Sequence, residues 1–256
     1  PGVCSRQIDA LSLALLGFPE QALDSVREAL KLARDIDHPP TLAMVHFFSG
    51  MLHQSLRDGS AALEHAEAAI SVSREYGILP FLQQGRILRG WAMADQGNPL
   101  PGLAELNDVL KGARAKKRKR TLVPYYFMLL ADAYGKQAAY EEALNIIAEA
   151  VERAADQDEW QWVGELHRLQ GDILLAQSAE NRSEAEDSFS KALEFARQQS
   201  ARTLELRAAM SLAHHWVAVG LQENAYDLLA PIYNWFTEGF ETVDLKNAKT
   251  LLDELV

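Results

Sequence analysis

Small residues recur along this chain in pairs twelve positions apart, and the pairs themselves recur every 40 to 42 residues. The pairs are Ala10/Ala22, Gly50/Ala62, Gly90/Gly102, Ala131/Ala143 and Ala213/Ala225, with Gly171/Ala185 two residues longer. Four positions beyond each second small residue lie Val26, Ala66, Leu106, Ile147, Phe189 and Leu229, and three further on Ala29, Ala69, Val109, Ala150, Ala192 and Ile232. Such a period constrains the fold more tightly than composition does. Each period is one unit that cannot bury its apolar face alone, so its neighbours must stack on it.

The unit reads as two amphipathic helices and a short turn. Breakers fall at the turns: Gly17-Phe18-Pro19, Arg57-Asp58-Gly59, Gly97-Asn98-Pro99 and Gly220-Leu221. Others fall between units, at Asp37-His38-Pro39-Pro40, Tyr76 to Pro80 and Thr121 to Pro124. No segment sustains period-two alternation, so no strand is expected. The extra residues after Gly171 imply a longer turn there. Two antiparallel helices approach closely only where the facing side chains are small. Leu130-Ala131-x-x-Tyr134 on one helix and Ala143-x-x-x-Ile147-x-x-Ala150 on the next supply that seam. The spacing is the tetratricopeptide pattern, at a period longer than the usual ~34 residues.

The expected fold is therefore all-α: a right-handed superhelical solenoid of about six tetratricopeptide-like helix pairs plus a C-terminal capping helix. The units fall at about 1–38, 39–77, 78–121, 122–158, 159–199 and 200–236, and the cap at 237–256. Thr242 is the expected N-cap of that last helix, with Asp244 favouring its start and Leu245, Ala248, Leu251, Leu252 and Leu255 forming its apolar stripe. The chain lacks an initiator methionine, and its first helix is apolar along Leu11, Leu13, Leu15 and Leu16. These features lead to the expectation of a piece cut from a longer protein, with further repeats before it.

At this point the residues resemble a known family. The stretches Leu88 to Gly97, Leu130 to Lys136, Glu165 to Gly171, Glu205 to Ala213 and Leu229 to Phe240 are similar to the C-terminal tetratricopeptide region of large bacterial signalling proteins. Trp235-Phe236-Thr237-Glu238-Gly239-Phe240 is the most specific of them. Those proteins join an adenylate/guanylate cyclase, kinase or transcriptional-activator domain to a signal-transduction ATPase and then a repeat array. The resemblance implies an interaction or sensor module, with catalysis elsewhere in the parent. The chain departs from the family at Lys116-Lys117-Arg118-Lys119-Arg120, where the family carries a mildly polar linker.

Composition and motifs exclude much else. The net charge of −11 argues against a dedicated nucleic-acid-binding domain. No stretch approaches a membrane span. The single cysteine, Cys4, excludes an internal disulfide framework and points to a reducing, cytoplasmic location. There is no Walker A loop, no Gly-x-Gly-x-x-Gly, no Gly-x-Ser-x-Gly and no His-Glu-x-x-His. No catalytic activity, cofactor or metal is expected. His46 and His53 share a helix face seven residues apart, and His214 and His215 point apart. Both pairs read as ordinary helix histidines. The carboxylates Glu141-Glu142 and Asp156/Asp158/Glu159 read as helix-start and turn residues.

The first helix of each pair is expected to line a concave face. Positions counted from the small residue select Phe47 and Met51, Gln84 and Trp91, Tyr125 and Asp132, Arg168 and Asp172, and Arg207 and His214 as a partner-binding groove. Trp91 and Arg168 are the expected anchors, because Trp and Arg dominate interface energetics. The competing readings are Trp91 as core and Arg168 paired with Asp172 on its own helix. Trp160, Trp162, Trp216 and Trp235 read as core. The run Lys116 to Arg120 reads either as a solvated loop or as a contact for an anion or an acidic partner.

The function expected is binding of a protein or peptide segment, or of the parent's own ATPase or output domain, in the groove. The main alternative is a small-molecule inducer site around Trp91, Tyr125 and Tyr126. A structural spacer or oligomerisation arm is a further alternative. Oligomeric state is left open.

Overall fold

The computed structural model describes residues 2–115 and 122–255. The basic run Lys116 to Arg120 lies outside the described residues. Among the described residues there are thirteen α-helices and no strand. They are α1 (Gly2–Leu16), α2 (Pro19–Ile36), α3 (Pro39–Ser55), α4 (Gly59–Tyr76), α5 (Leu79–Asp95), α6 (Pro99–Ala115) and α7 (Val123–Lys136). Then follow α8 (Tyr140–Gln157), α9 (Val163–Gln177), α10 (Arg182–Gln198), α11 (Arg202–Ala218), α12 (Gln222–Tyr233) and α13 (Val243–Glu254). Proline at the first turn starts α2, α3, α5 and α7, where its missing N–H is not needed. Asp58 caps α4 by accepting from the Ala61 N–H at 3.0 Å.

The helices group into two compact units, one built mainly from α1–α6 and the other from α7–α13. In each, a helix packs on the next in sequence, and first helices also pack on first helices. In the first unit α3 lies on α5; in the second, α7, α9, α11 and α13 follow one another. This two-layer arrangement is the tetratricopeptide-like helix-pair architecture that the spacing predicts.

The small-residue seam has the mechanical role inferred for it. A Cβ placed on Gly102 would lie 2.3 Å from the Gly90 carbonyl oxygen, and one on Gly171 would lie 2.4 Å from the Phe189 ring. In four of the pairs the turn closes the same way. The N–H groups of Asp58, Asn98, Ala139 and Leu221 donate to the carbonyls of His53, Met93, Tyr134 and Trp216, five residues back, at 2.8 to 3.0 Å. The residue before each donor is left-handed: Arg57, Gly97, Ala138 and Gly220, with φ between 59° and 85°. The two extra residues after Gly171 are taken up by a 3-10 turn at Ala179–Asn181. The Asn181 amide ties that turn back to the Leu174 carbonyl at 3.1 Å.

The last helix covers the end of the second unit. Leu245, Ala248 and Leu251 join the core that holds Phe189, Leu206, Ala209, Ala213 and Leu229. Two details of its start differ from expectation. Thr242 occupies the N-cap position, but its hydroxyl donates to the Gly239 carbonyl at 2.7 Å instead of accepting from the helix. Asp244 is buried and bonded to Arg207, so it serves a side chain of another helix as well as its own N-terminus.

The tryptophans also correct the sequence reading. Trp160 and Trp235, expected in the core, are 42% and 38% exposed, whereas Trp91 is buried. Trp235 stacks edge-on to Phe236 and lies under the Arg202 guanidinium at 5.1 Å, a cation–π contact that needs no deep burial. Trp216 is half-buried and turns its indole N–H to Glu186 at 2.8 Å.

Candidate functional site

The residues expected to line one groove divide into an apolar set and a charged set. Phe47, Met51, Trp91 and Tyr125 are buried, each with 3% exposure or less. They offer no surface to a partner in this conformation. The physical reason lies in the packing of first helices. Phe47 on α3 faces Phe81 on α5 at 6.3 Å between ring centroids, and Tyr125 on α7 faces Trp162, just before α9, at 4.7 Å. At Phe47 and Tyr125 the positions counted as groove-facing lie against the next repeat instead. Burial extends to two of the residues assigned to a small ligand. Tyr125 and Tyr126 are both buried, and burial pushes the Tyr125 phenol well above its ordinary pKa. Gln84 is half-buried on α5.

The charged set lies on successive first helices of the second unit. Arg168 on α9 donates to Glu165 one turn before it, at 3.0 Å from Nε and 2.8 Å from Nη2, and to Asp172 one turn after it. Arg207 on α11 donates through Nε and Nη2 to one oxygen of Asp244 on α13, at 2.7 and 2.6 Å. On α7, Lys136 pairs with Asp132 at 2.6 Å. These pairs are electrostatically joined. Asp132 acts on Arg168, and Glu165 acts on both Arg168 and Arg207. The result is a ladder of alternating charge, Asp132, Arg168, Glu165, Arg207, Asp244, crossing four helices.

Its electrostatics are those of buried charge held by partners. Burial alone would lower the pKa of both guanidiniums, but the flanking carboxylates outweigh it and raise both. The side chains of Arg168, Arg207 and Asp244 are 10%, 6% and 6% exposed. Exposure then rises at Asp132 and Asp172, with 28% and 41% of each side chain in solvent. His214 on α11 is exposed. The solvent-facing part of the charged set is therefore Asp132 with its partner Lys136, and Asp172 with its partner Arg168, the two carboxylates standing at equivalent positions of adjacent repeats, each one residue beyond a small residue.

Sequence reasoning reached part of this. Arg168 with Asp172 was legible as an i,i+4 pair. Glu165 entered only as the first residue of the stretch Glu165 to Gly171, and Asp244 was assigned to the helix start. The Arg207–Asp244 pair spans 37 residues, and no local spacing rule reports it.

No protein-family model matches the chain. An uncharacterised protein of Rhizobium meliloti (strain 1021) is 28% identical over 137 residues, which is 54% of this chain and 13% of that protein. The chain thus matches only a small part of that relative's length. Among solved structures, NprR in complex with its cognate peptide NprX superposes with a TM-score of 0.66 at 14% identity, covering 98% of this chain and 70% of that one. A Rap protein complexed with competence and sporulation factor gives 0.68 at 14% identity, covering 99% and 67%. A signal transduction ATPase with numerous domains and a tetratricopeptide repeat sensor, from Pyrococcus horikoshii, gives 0.54 at 17% identity, covering 98% and 37%. At these identities the likeness is one of fold. The chain shares the all-α, tetratricopeptide-like solenoid fold of these proteins.

Proposed function

We propose that this chain is a non-catalytic, peptide- or protein-binding repeat module of a larger bacterial signalling protein, and that the charged face of α7, α9, α11 and α13 receives the partner. The observation that carries the reading is the ladder. A buried ion pair is commonly no more stabilising than well-packed apolar residues of the same volume. In the first unit Phe47 and Ile87 stand at the position of Arg168, and Met51 and Trp91 at that of Asp132 and Asp172, and all four are buried. A repeat stack therefore has an apolar solution here, and the second unit departs from it on consecutive first helices.

A polypeptide suits such a face better than a small apolar ligand. Asp132 and Asp172 reach solvent and offer two carboxylates to a lysine, an arginine or an N-terminal amine, with charge-assisted hydrogen bonds fixing register. Similarity to structures described as complexes with a cognate peptide and with competence and sporulation factor supports the same reading. Occupancy would regulate an output domain of the parent, a cytoplasmic cyclase, kinase or regulator. That requires the partner to bind the parent's two states unequally.

The test is selection of displayed random peptides on the full chain, followed by fluorescence anisotropy of those enriched. Peptides with a shared basic residue should bind, and the Asp132→Asn/Asp172→Asn variant should bind them at least tenfold more weakly. Failure to enrich any peptide, or affinity unchanged in the variant, would overturn the proposal.

A further inference from the structure

A cluster of three histidines lies in the first unit, whereas the charged ladder belongs to the second. His46 and His53 stand seven residues apart on α3, and between them, four residues after His46, is Gly50. The missing side chain there makes a notch. A Cβ on Gly50 would stand 3.5 Å from the Cβ of His65, so His65 on α4 lies over the notch. Its ring packs between the other two, with centroids 5.4 Å from His46 and 5.3 Å from His53. The Nδ1 atoms of His46 and His65 face each other at 3.1 Å.

We infer that His46 and His65 form a two-imidazole site for a divalent transition-metal ion, with zinc as the ion tested. Two nitrogens on a tetrahedral zinc at ~2.05 Å stand about 3.3 Å apart, so the pair already has nearly the bite of a chelate. Imidazole nitrogen is a borderline donor suited to zinc, copper and nickel, which also makes these ions the relevant class. In the metal-free protein one Nδ1–H donates to the other Nδ1. On binding, that proton moves to Nε2 of the same ring, and both Nδ1 lone pairs turn to the ion.

Burial and the nearby Arg34 lower the pKa of both His46 and His65, with Glu64 and Asp58 opposing more weakly, so both rings are held in the neutral form that binds a metal. His53 stacks on His65, and its Nδ1 lies 3.3 Å from Asp58 Oδ2. No set of three or more His, Cys, Asp or Glu among the described residues converges as a metal site. The protein therefore supplies two ligands and water the rest, so the site is of moderate affinity and open to a further donor. The inference is independent of the peptide-binding proposal.

The test is isothermal titration of the tag-free full chain with zinc chloride at pH 7.5. One equivalent should bind with a micromolar Kd, and excess zinc should raise the melting temperature. His46→Gln and His65→Gln should each weaken binding at least tenfold, while His214→Gln, on the second unit, should leave it unchanged. Circular dichroism establishes that the variants are folded, and two independent substitutions guard against one that unfolds. Absence of a one-to-one site in the wild type, or a site that survives both substitutions, would overturn the inference.

Discussion

Gly102 and Gly112 lie on the same helix, α6, and the structure assigns opposite signs to the same substitution at the two positions. A Cβ on Gly102 would meet the Gly90 carbonyl oxygen at 2.3 Å, the Ala94 N–H at 3.0 Å and the Ala94 Cβ at 3.3 Å. The first distance falls roughly 1 Å short of ordinary contact. All three neighbours belong to α5, two of them backbone atoms, so no side-chain rotation relieves the clash and the two helices must separate. Overpacking of this kind costs about 1–3 kcal/mol, reduced by up to about 1 kcal/mol from alanine's better helix propensity. Among the described residues, nothing lies within 4 Å of a Cβ on Gly112. There Gly→Ala gains the propensity alone, up to about 1 kcal/mol near a helix end. At about 2–4 °C per kcal/mol for a chain of this size, Gly102→Ala should melt several degrees below the wild type and Gly112→Ala slightly above it. Thermal and urea unfolding followed by circular dichroism give both numbers. A Gly102→Ala protein as stable as the wild type, or equal shifts at the two positions, would refute the close-approach account of the seam.

Three further outcomes are expected. Burial, then the neighbouring charges of His46 and His53, lowers the His65 pKa to about 4. Between pH 6.5 and 4 the unfolded chain then binds more protons than the folded one at this residue, so stability falls as pH drops through that window. The loss is about 1–2 kcal/mol after allowance for partial exposure, and His65→Gln should flatten the slope of melting temperature against pH. Arg207→Met and Asp244→Leu should each lose about 3–5 kcal/mol by stranding a buried charge, while Arg207→Met/Asp244→Leu recovers most of it in a double-mutant cycle. Ala138→Gly should stabilise by up to about 1 kcal/mol in urea titration, because alanine holds φ of 59° at a turn where Gly97 and Gly220 stand in other repeats.

The sequence exposed the fold because the seam is local. A small residue and its partner twelve positions on describe one helix pair, and the same offset reappears in five of the six pairs. The longer Gly171/Ala185 interval even announced the 3-10 turn at Ala179–Asn181. The site was less legible because it depends on contacts between repeats. A position counted from Ala131 places Asp132 and Tyr125 on one helix, but it does not say that Trp162 covers Tyr125 and leaves Asp132 half exposed. His65 escaped attention for the same reason. It lies on the second helix of its pair, and only the notch at Gly50 brings its ring between His46 and His53. Trp160 and Trp235 read as core by residue type alone, yet each lies at a turn where the chain leaves one repeat for the next.

The most direct test of the central claim is hydrogen exchange of the full chain with and without a saturating selected peptide. Slowed exchange should concentrate on the first helices of the second unit, at 123–136, 163–177, 202–218 and 243–254, and should disappear in Asp132→Asn/Asp172→Asn. Protection confined to α8, α10 and α12, or to the first unit, would contradict the assignment of the charged ladder as the binding face.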